Sequence, residues 1–190
     1  MPRVVIVHGY GASPNANWFP WLAETLKERE IACDVPNMPD SVSPKREAWL
    51  AHLRATIGED PSDTILVGHS LGCIAILRYL EALSSGVRAC GAILVAGFDG
   101  PVGYPDVDAF AEPPIDHAKV RASVREGFLV AHSETDPVVP LARGEALREH
   151  LDARFLRISD GEHLNMGSRG DFTFPELVEE IERMFSSARA

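Results

Sequence analysis

The chain has 190 residues, 45% of them hydrophobic and 24% charged, enough apolar residues for one domain with a sizeable core. Its formal net charge of −10 repels phosphate backbones and anionic lipid surfaces, so neither nucleic acid nor a membrane is an expected partner. Three scattered cysteines, Cys33, Cys73 and Cys90, without C-x-x-C spacing, argue against a disulfide framework or a zinc site. With no signal-peptide pattern and no apolar run of transmembrane length, the expectation is a cytoplasmic protein.

In chain order, short apolar runs alternate with helical patterns. Val4 to Val7 reads as a strand, and Trp18 to Glu28 as a helix carrying Trp18, Trp21, Leu22 and Leu26 on one side. Ile31 to Val35 is a short strand. Ser43-Pro44 reads as an N-cap followed by a first-turn proline, opening a helix lined by Trp49, Leu53 and Ile57. Thr64 to Val67 is a strand, and Leu71 to Leu83 a helix apolar almost all round, as for one buried behind a sheet. Ala92 to Ala96 and Phe128 to Ala131 are strands, Ala142 to Leu151 a helix, and Phe155 to Ile158 a last strand. Thr173-x-x-Glu176 reads as a capping box opening a final helix with Leu177, Ile181, Met184 and Phe185 inward. This alternation predicts an α/β fold with about six mostly parallel strands and helices on both faces. Residues 97–119, rich in Pro, Gly and Asp, form the one long irregular segment and are expected to make a small lid or pocket wall.

Between the third strand and its helix stands Gly68-His69-Ser70-Leu71-Gly72, a G-x-S-x-G nucleophile elbow in its expected strand–turn–helix setting. An alcohol needs a base, and the base an orienting acid. In doubly wound hydrolases these follow in the order Ser, acid, His. Asp136 lies in the loop after the strand Phe128 to Ala131, and His163 in the loop after the strand Phe155 to Ile158. Ser70, Asp136 and His163 are thus the candidate triad. Asp99, after the fourth strand, is the competing acid, and His132 a rival base that breaks the chain order. Oxyanion donors are expected from the amides of Leu71 and Tyr10, with Gly11 the near alternative. Gly9, Gly11, His69, Phe98 and Leu164 are candidate substrate-contacting residues.

The remaining side chains have plainer readings. His69 is expected to pack beneath the elbow and His8 to order the oxyanion loop. His52, His117 and His150 read as surface residues, and Cys73 as helix packing. Gly9-Tyr10-Gly11 fails as a dinucleotide loop because Pro14 stands where a third glycine belongs.

Val7-His-Gly-Tyr-Gly11, Val35-Pro-Asn-Met-Pro39, the elbow, Asp136-Pro-Val-Val-Pro140 and Gly161-Glu-His-Leu-Asn165 occur in one order along nearly the whole chain. Together they resemble the small serine hydrolases of the YdeN and retinoblastoma-binding-protein group, within the α/β-hydrolase superfamily. The resemblance implies a three-layer α/β-hydrolase fold without a large cap domain, and the same three residues as the triad. The vertebrate member of the group was named for a partner bound through L-x-C-x-E. The nearest stretch here, Ile31-Ala32-Cys33-Asp34-Val35, lacks both the leucine and the glutamate, so that partner is not expected. The expectation is a serine hydrolase acting on esters or related small acyl compounds, with no metal or organic cofactor. The same triad serves amidases, peptidases and thioesterases, and an interaction module with an idle triad is the reading of a different class.

Overall fold

The computed structural model describes residues 1–165 and 173–188. Six strands form one sheet: β1 (Arg3–Val7), β2 (Ala32–Asp34), β3 (Thr64–His69), β4 (Gly91–Val95), β5 (Phe128–Ser133) and β6 (Arg154–Ile158). Their order is β2-β1-β3-β4-β5-β6, and every pairing is parallel. Parallel strands need crossovers, and helices supply them: α1 (Phe19–Lys27), α2 (Arg46–Ile57), α3 (Leu71–Glu81), α4 (Pro105–Asp108), α5 (His117–Ala122) and α6 (Leu141–Leu151), with α7 (Pro175–Ser187) following the last strand.

Alternation along the strands fills two cores. Val5, Val7, Leu66, Ala92 and Leu94 face one way, against Trp49 and Leu53 of α2, the apolar length of α3 and Leu147 of α6. Val4, Ile6, Ile65, Val67 and Ile93 face the other, against Phe19, Leu22 and Leu26 of α1 and Leu177, Ile181 and Met184 of α7. Helix α3 is buried at nearly every position, which explains why its sequence is apolar all round and not striped.

Two helices start later than their sequence signals suggest. The chain at Ser43 is engaged in a turn, its N–H donating to the Asp40 carbonyl, so α2 begins at Arg46 with Lys45 at the N-cap. At α7 the N-cap is Phe174, one residue beyond the capping-box threonine. Phe174 is buried edge-to-face against Trp18, and Pro175 supplies the preset first-turn conformation.

The chain goes from β1 outward to β2, then back across β1 to β3. This reversal opens a crevice between the carboxyl ends of β1 and β3, where ligands of open α/β sheets bind. The loop after β1 and the elbow after β3 both end there. Their closeness depends on Gly72: a Cβ on that residue would lie 2.0 Å from the Val7 carbonyl oxygen. Gly68 is equally confined, its Cβ position being 2.8 Å from the Cys73 backbone. Gly72→Ala should therefore cost about 3 kcal/mol, seen in thermal denaturation as a drop of roughly 6–12 °C.

Candidate active site

Ser70 is held at φ 53°, ψ −120°, in backbone space that non-glycine residues seldom occupy. Its N–H donates to the Val95 carbonyl (2.9 Å) and its carbonyl accepts from the Cys73 N–H (2.9 Å), so both backbone groups are engaged while the residue keeps partial exposure. Leu71 opens α3, and its N–H has no acceptor within the helix. Across the crevice the Gly11 N–H donates to the Ser41 carbonyl (2.8 Å), which occupies that amide. Tyr10 lines the cavity beside Ser70, and its amide has no backbone acceptor among the described residues.

The His8 ring explains how this loop is fixed. Its Nε2 accepts from the Met38 N–H (3.0 Å), so its Nδ1 carries the proton and donates to the Gly9 carbonyl (2.9 Å). One tautomer satisfies both contacts. Burial keeps the ring neutral by lowering its pKa, against the opposing pull of the Gly9 carbonyl.

His163 Nδ1 donates to Asp136, 2.8 Å from Oδ2 and 3.1 Å from Oδ1. Oδ1 also accepts from the N–H groups of Val138 and Val139, each at 2.8 Å. The Asp136 side chain has no exposed surface. Burial alone would raise its pKa, but the hydrogen bond and charge of His163, with the two valine amides, hold the carboxyl below its ordinary range. With Nδ1 committed, the neutral His163 ring carries its lone pair on Nε2, and both His163 and Ser70 line one cavity.

The backbone around His163 is held from behind. His69 Nε2 donates to the His163 carbonyl (2.9 Å), and Trp18 Nε1 donates to the next carbonyl, that of Leu164 (3.0 Å). The flanking residues Glu162 (φ 43°) and Leu164 (φ 50°) are both in the left-handed region. His132 Nε2 donates to the Val139 carbonyl (2.9 Å), bracing the acid loop. It is fully buried and does not line the cavity.

Asp99, the competing acid, is not the partner of His163, whose Nδ1 meets Asp136. It pairs with His117 and His150, two of the three histidines that read as surface residues in the sequence. Cys73 is buried, its thiol directed to the Val95 carbonyl at 3.3 Å, with a pKa pushed up by burial.

The cavity measures about 440 Å³. Of the five candidate substrate contacts, Phe98 lines it, whereas Gly9, Gly11, His69 and Leu164 do not. Its walls come instead from Val102, Tyr104, Pro105, Asp106 and Val107 of the 97–119 segment, with Val138 and Val139 opposite. The two valines carried a signal of their own, an apolar pair just past Asp136-Pro137 in a loop that otherwise begins polar, with Ser133, Glu134 and Thr135. The lid residues carried one signal, the first-turn proline Pro105 that opens α4. This wall is fastened to the body by arginines. The Arg78 guanidinium donates to the carbonyls of Phe110 and Pro113, Arg143 to Pro101, and Arg46 to Glu112.

An open parallel sheet with helices on both faces, an elbow serine and a His–Asp pair at the carboxyl edge defines the α/β-hydrolase class. A family model described as serine hydrolase matches residues 4–181, and the chain belongs to that family. It is 34% identical over 185 residues to YdeN of Bacillus subtilis (strain 168), covering 97% of this chain and 96% of the relative. It is 26% identical over 191 residues to the serine hydrolase RBBP9 of Rattus norvegicus, covering 98% and 97%. The crystal structure of the B. subtilis ydeN gene product superposes with a TM-score of 0.92, covering 98% of this chain and all of that one.

The buried histidines set an acid limit on stability. Burial, then the nearby His163, pushes His69 from its ordinary 6.5 down to about 3. Between these values the unfolded chain binds a proton that the native state refuses, so stability falls as pH drops through that window. The depressed Asp136 carboxyl adds a loss in the same direction, but only around and below its ordinary 3.8. In urea denaturation His69→Gln, whose amide can still donate to the His163 carbonyl, should flatten the pH slope between about 6.5 and 4 by up to ~1.4 kcal/mol per pH unit.

Proposed function

We propose that this serine hydrolase cleaves esters or related small acyl compounds, with Ser70 as nucleophile, His163 as general base and acid, and Asp136 as its orienting partner. The observation that carries this reading is the pairing of His163 Nδ1 with buried Asp136 at 2.8 Å, with His163 and the strained elbow serine opening on one cavity.

Ser70 Oγ attacks the acyl carbonyl carbon while His163 Nε2 takes the hydroxyl proton. Asp136 keeps the proton-bearing Nδ1 in place and stabilises the imidazolium that forms. The negative charge that develops on the carbonyl oxygen is met by the amides of Leu71 and Tyr10, fixed donors that need no reorganisation as the charge grows. Collapse of the tetrahedral adduct expels the alcohol, which takes its proton from His163, and leaves an acyl-serine. Water, deprotonated by His163, then attacks that ester, and Ser70 leaves as the restored hydroxyl.

Cavity shape bears on the substrate. Val102, Val107, Val138, Val139 and Phe98 make an apolar wall suited to a small acyl or aryl group, and a lid with one short helix leaves it open. Short acyl chains are therefore the proposed preference.

A fluorophosphonate probe should label the wild type and leave Ser70→Ala unlabelled. An unlabelled wild type would instead favour a binding module with an idle triad. Asp136→Asn should retain the fold but lose on the order of 10⁴-fold in kcat, because the wrong tautomer is stabilised. In a panel of p-nitrophenyl esters, acetate and butyrate should exceed octanoate in kcat/KM, and faster octanoate turnover would refute the short-chain preference. Matched amide and thioester substrates separate the other acyl chemistries.

A further inference from the structure

Outside the cavity, one cluster of polar side chains lacks a role in the chemistry above. Asp99 follows β4 at the root of the lid, His117 opens α5, and His150 lies in the last turn of α6. Both imidazoles converge on a single carboxylate oxygen: His117 Nε2 is 2.8 Å and His150 Nδ1 2.6 Å from Asp99 Oδ2. The rings lie side by side, 4.4 Å apart and tilted by 31°. The Asp99 side chain is only 6% exposed, whereas that of His150 is 48% exposed.

We infer that Asp99, His117 and His150 form a binding site for a divalent transition-metal ion, zinc above all, at the root of the lid. The three potential ligand atoms lie within 4.8 Å of one another. Two imidazole nitrogens and one carboxylate oxygen match the donor preference of zinc, with a fourth tetrahedral position left for water. At zinc–ligand lengths near 2.0–2.1 Å, neighbouring donors stand about 3.3 Å apart, so the present contacts need to open by roughly half an ångström. His150, half-exposed at a helix end, has room to make that shift, and its exposed side is the route for a hydrated ion.

One divalent ion at this point would take a lone pair from each ring and from the carboxylate together, in place of the two hydrogen bonds that Asp99 Oδ2 now accepts. The net charge of −10 favours cation binding in general. Because the adjacent residue Phe98 lines the cavity, the bound ion would fasten the start of the lid to α5 and α6 without touching the reacting atoms.

The test is calorimetric titration of zinc chloride into the chelator-stripped full chain, with cobalt(II) absorption as a second readout. The expected result is one ion per chain, a raised Tm and visible cobalt bands of a low-coordinate site. His117→Gln and His150→Gln should each weaken binding by at least ~10-fold and lose the bands. These two changes lie on separate helices, and the metal-free Tm of each variant reports whether it folds. His163→Gln should bind zinc as the wild type does. The inference is overturned if the wild type takes up no zinc, or if binding survives both His117→Gln and His150→Gln, or if it vanishes with His163→Gln and persists in the other two.

Discussion

Two stretches of main chain meet at the carboxyl edge of this sheet with nothing between them. Helix α3 presses its first turn against the end of β1, and the absence of a side chain at Gly72 allows it, since a Cβ there would sit 2.0 Å from the Val7 carbonyl oxygen. The contact positions more than a helix. Immediately after Val7 the chain runs into the His8–Gly11 loop, and immediately before Gly72 stand Ser70 and Leu71. The hypothetical Cβ of Gly9 would lie 3.1 Å from that of Ser70. The proposed nucleophile and both proposed oxyanion amides are therefore brought into register by one backbone-on-backbone approach.

The rest of the site depends on neutral imidazoles used as props. His8 braces the loop after β1, His69 the backbone of His163, and His132 the loop that carries Asp136. Each is buried, and burial lowers its pKa. A ring that stays uncharged offers one donor in a fixed direction and brings no charge to the proposed base nearby. Left-handed backbone occurs where the props converge, at Ser70 and at the residues on either side of His163. Such geometry persists because the surroundings over-determine it.

Much of the fold was legible because its signals are local. Short apolar runs such as Thr64 to Val67 have few alternatives to a buried parallel strand, and the elbow states its own turn. The positions of Asp136 and His163 followed from chain order, because a doubly wound sheet returns successive loops to one edge. What failed to read through was non-local. Ser43-Pro44 has the composition of a helix start, but a turn back to Asp40 uses the chain there first. The start of α7 is decided by the packing of Phe174 on Trp18, a contact between opposite ends of the chain. His150 is at the surface as its sequence suggests, but the convergence of His117 and His150 on Asp99 is set by tertiary structure alone. The cavity wall was hidden for the same reason, since Tyr104 and Val107 acquire meaning only when the lid folds over Ser70.

The wall of that cavity hangs from guanidinium groups that grip main-chain oxygens: Arg78 on Phe110 and Pro113, Arg143 on Pro101, Arg46 on Glu112. A peptide oxygen is present whatever residue bears it. The fastening is thus indifferent to the identity of the side chains it holds over the site. Residues such as Val102 and Tyr104 can change while the scaffold beneath them stays still, so the lining of the cavity can be recut by point replacement, without any rebuilding of the loop.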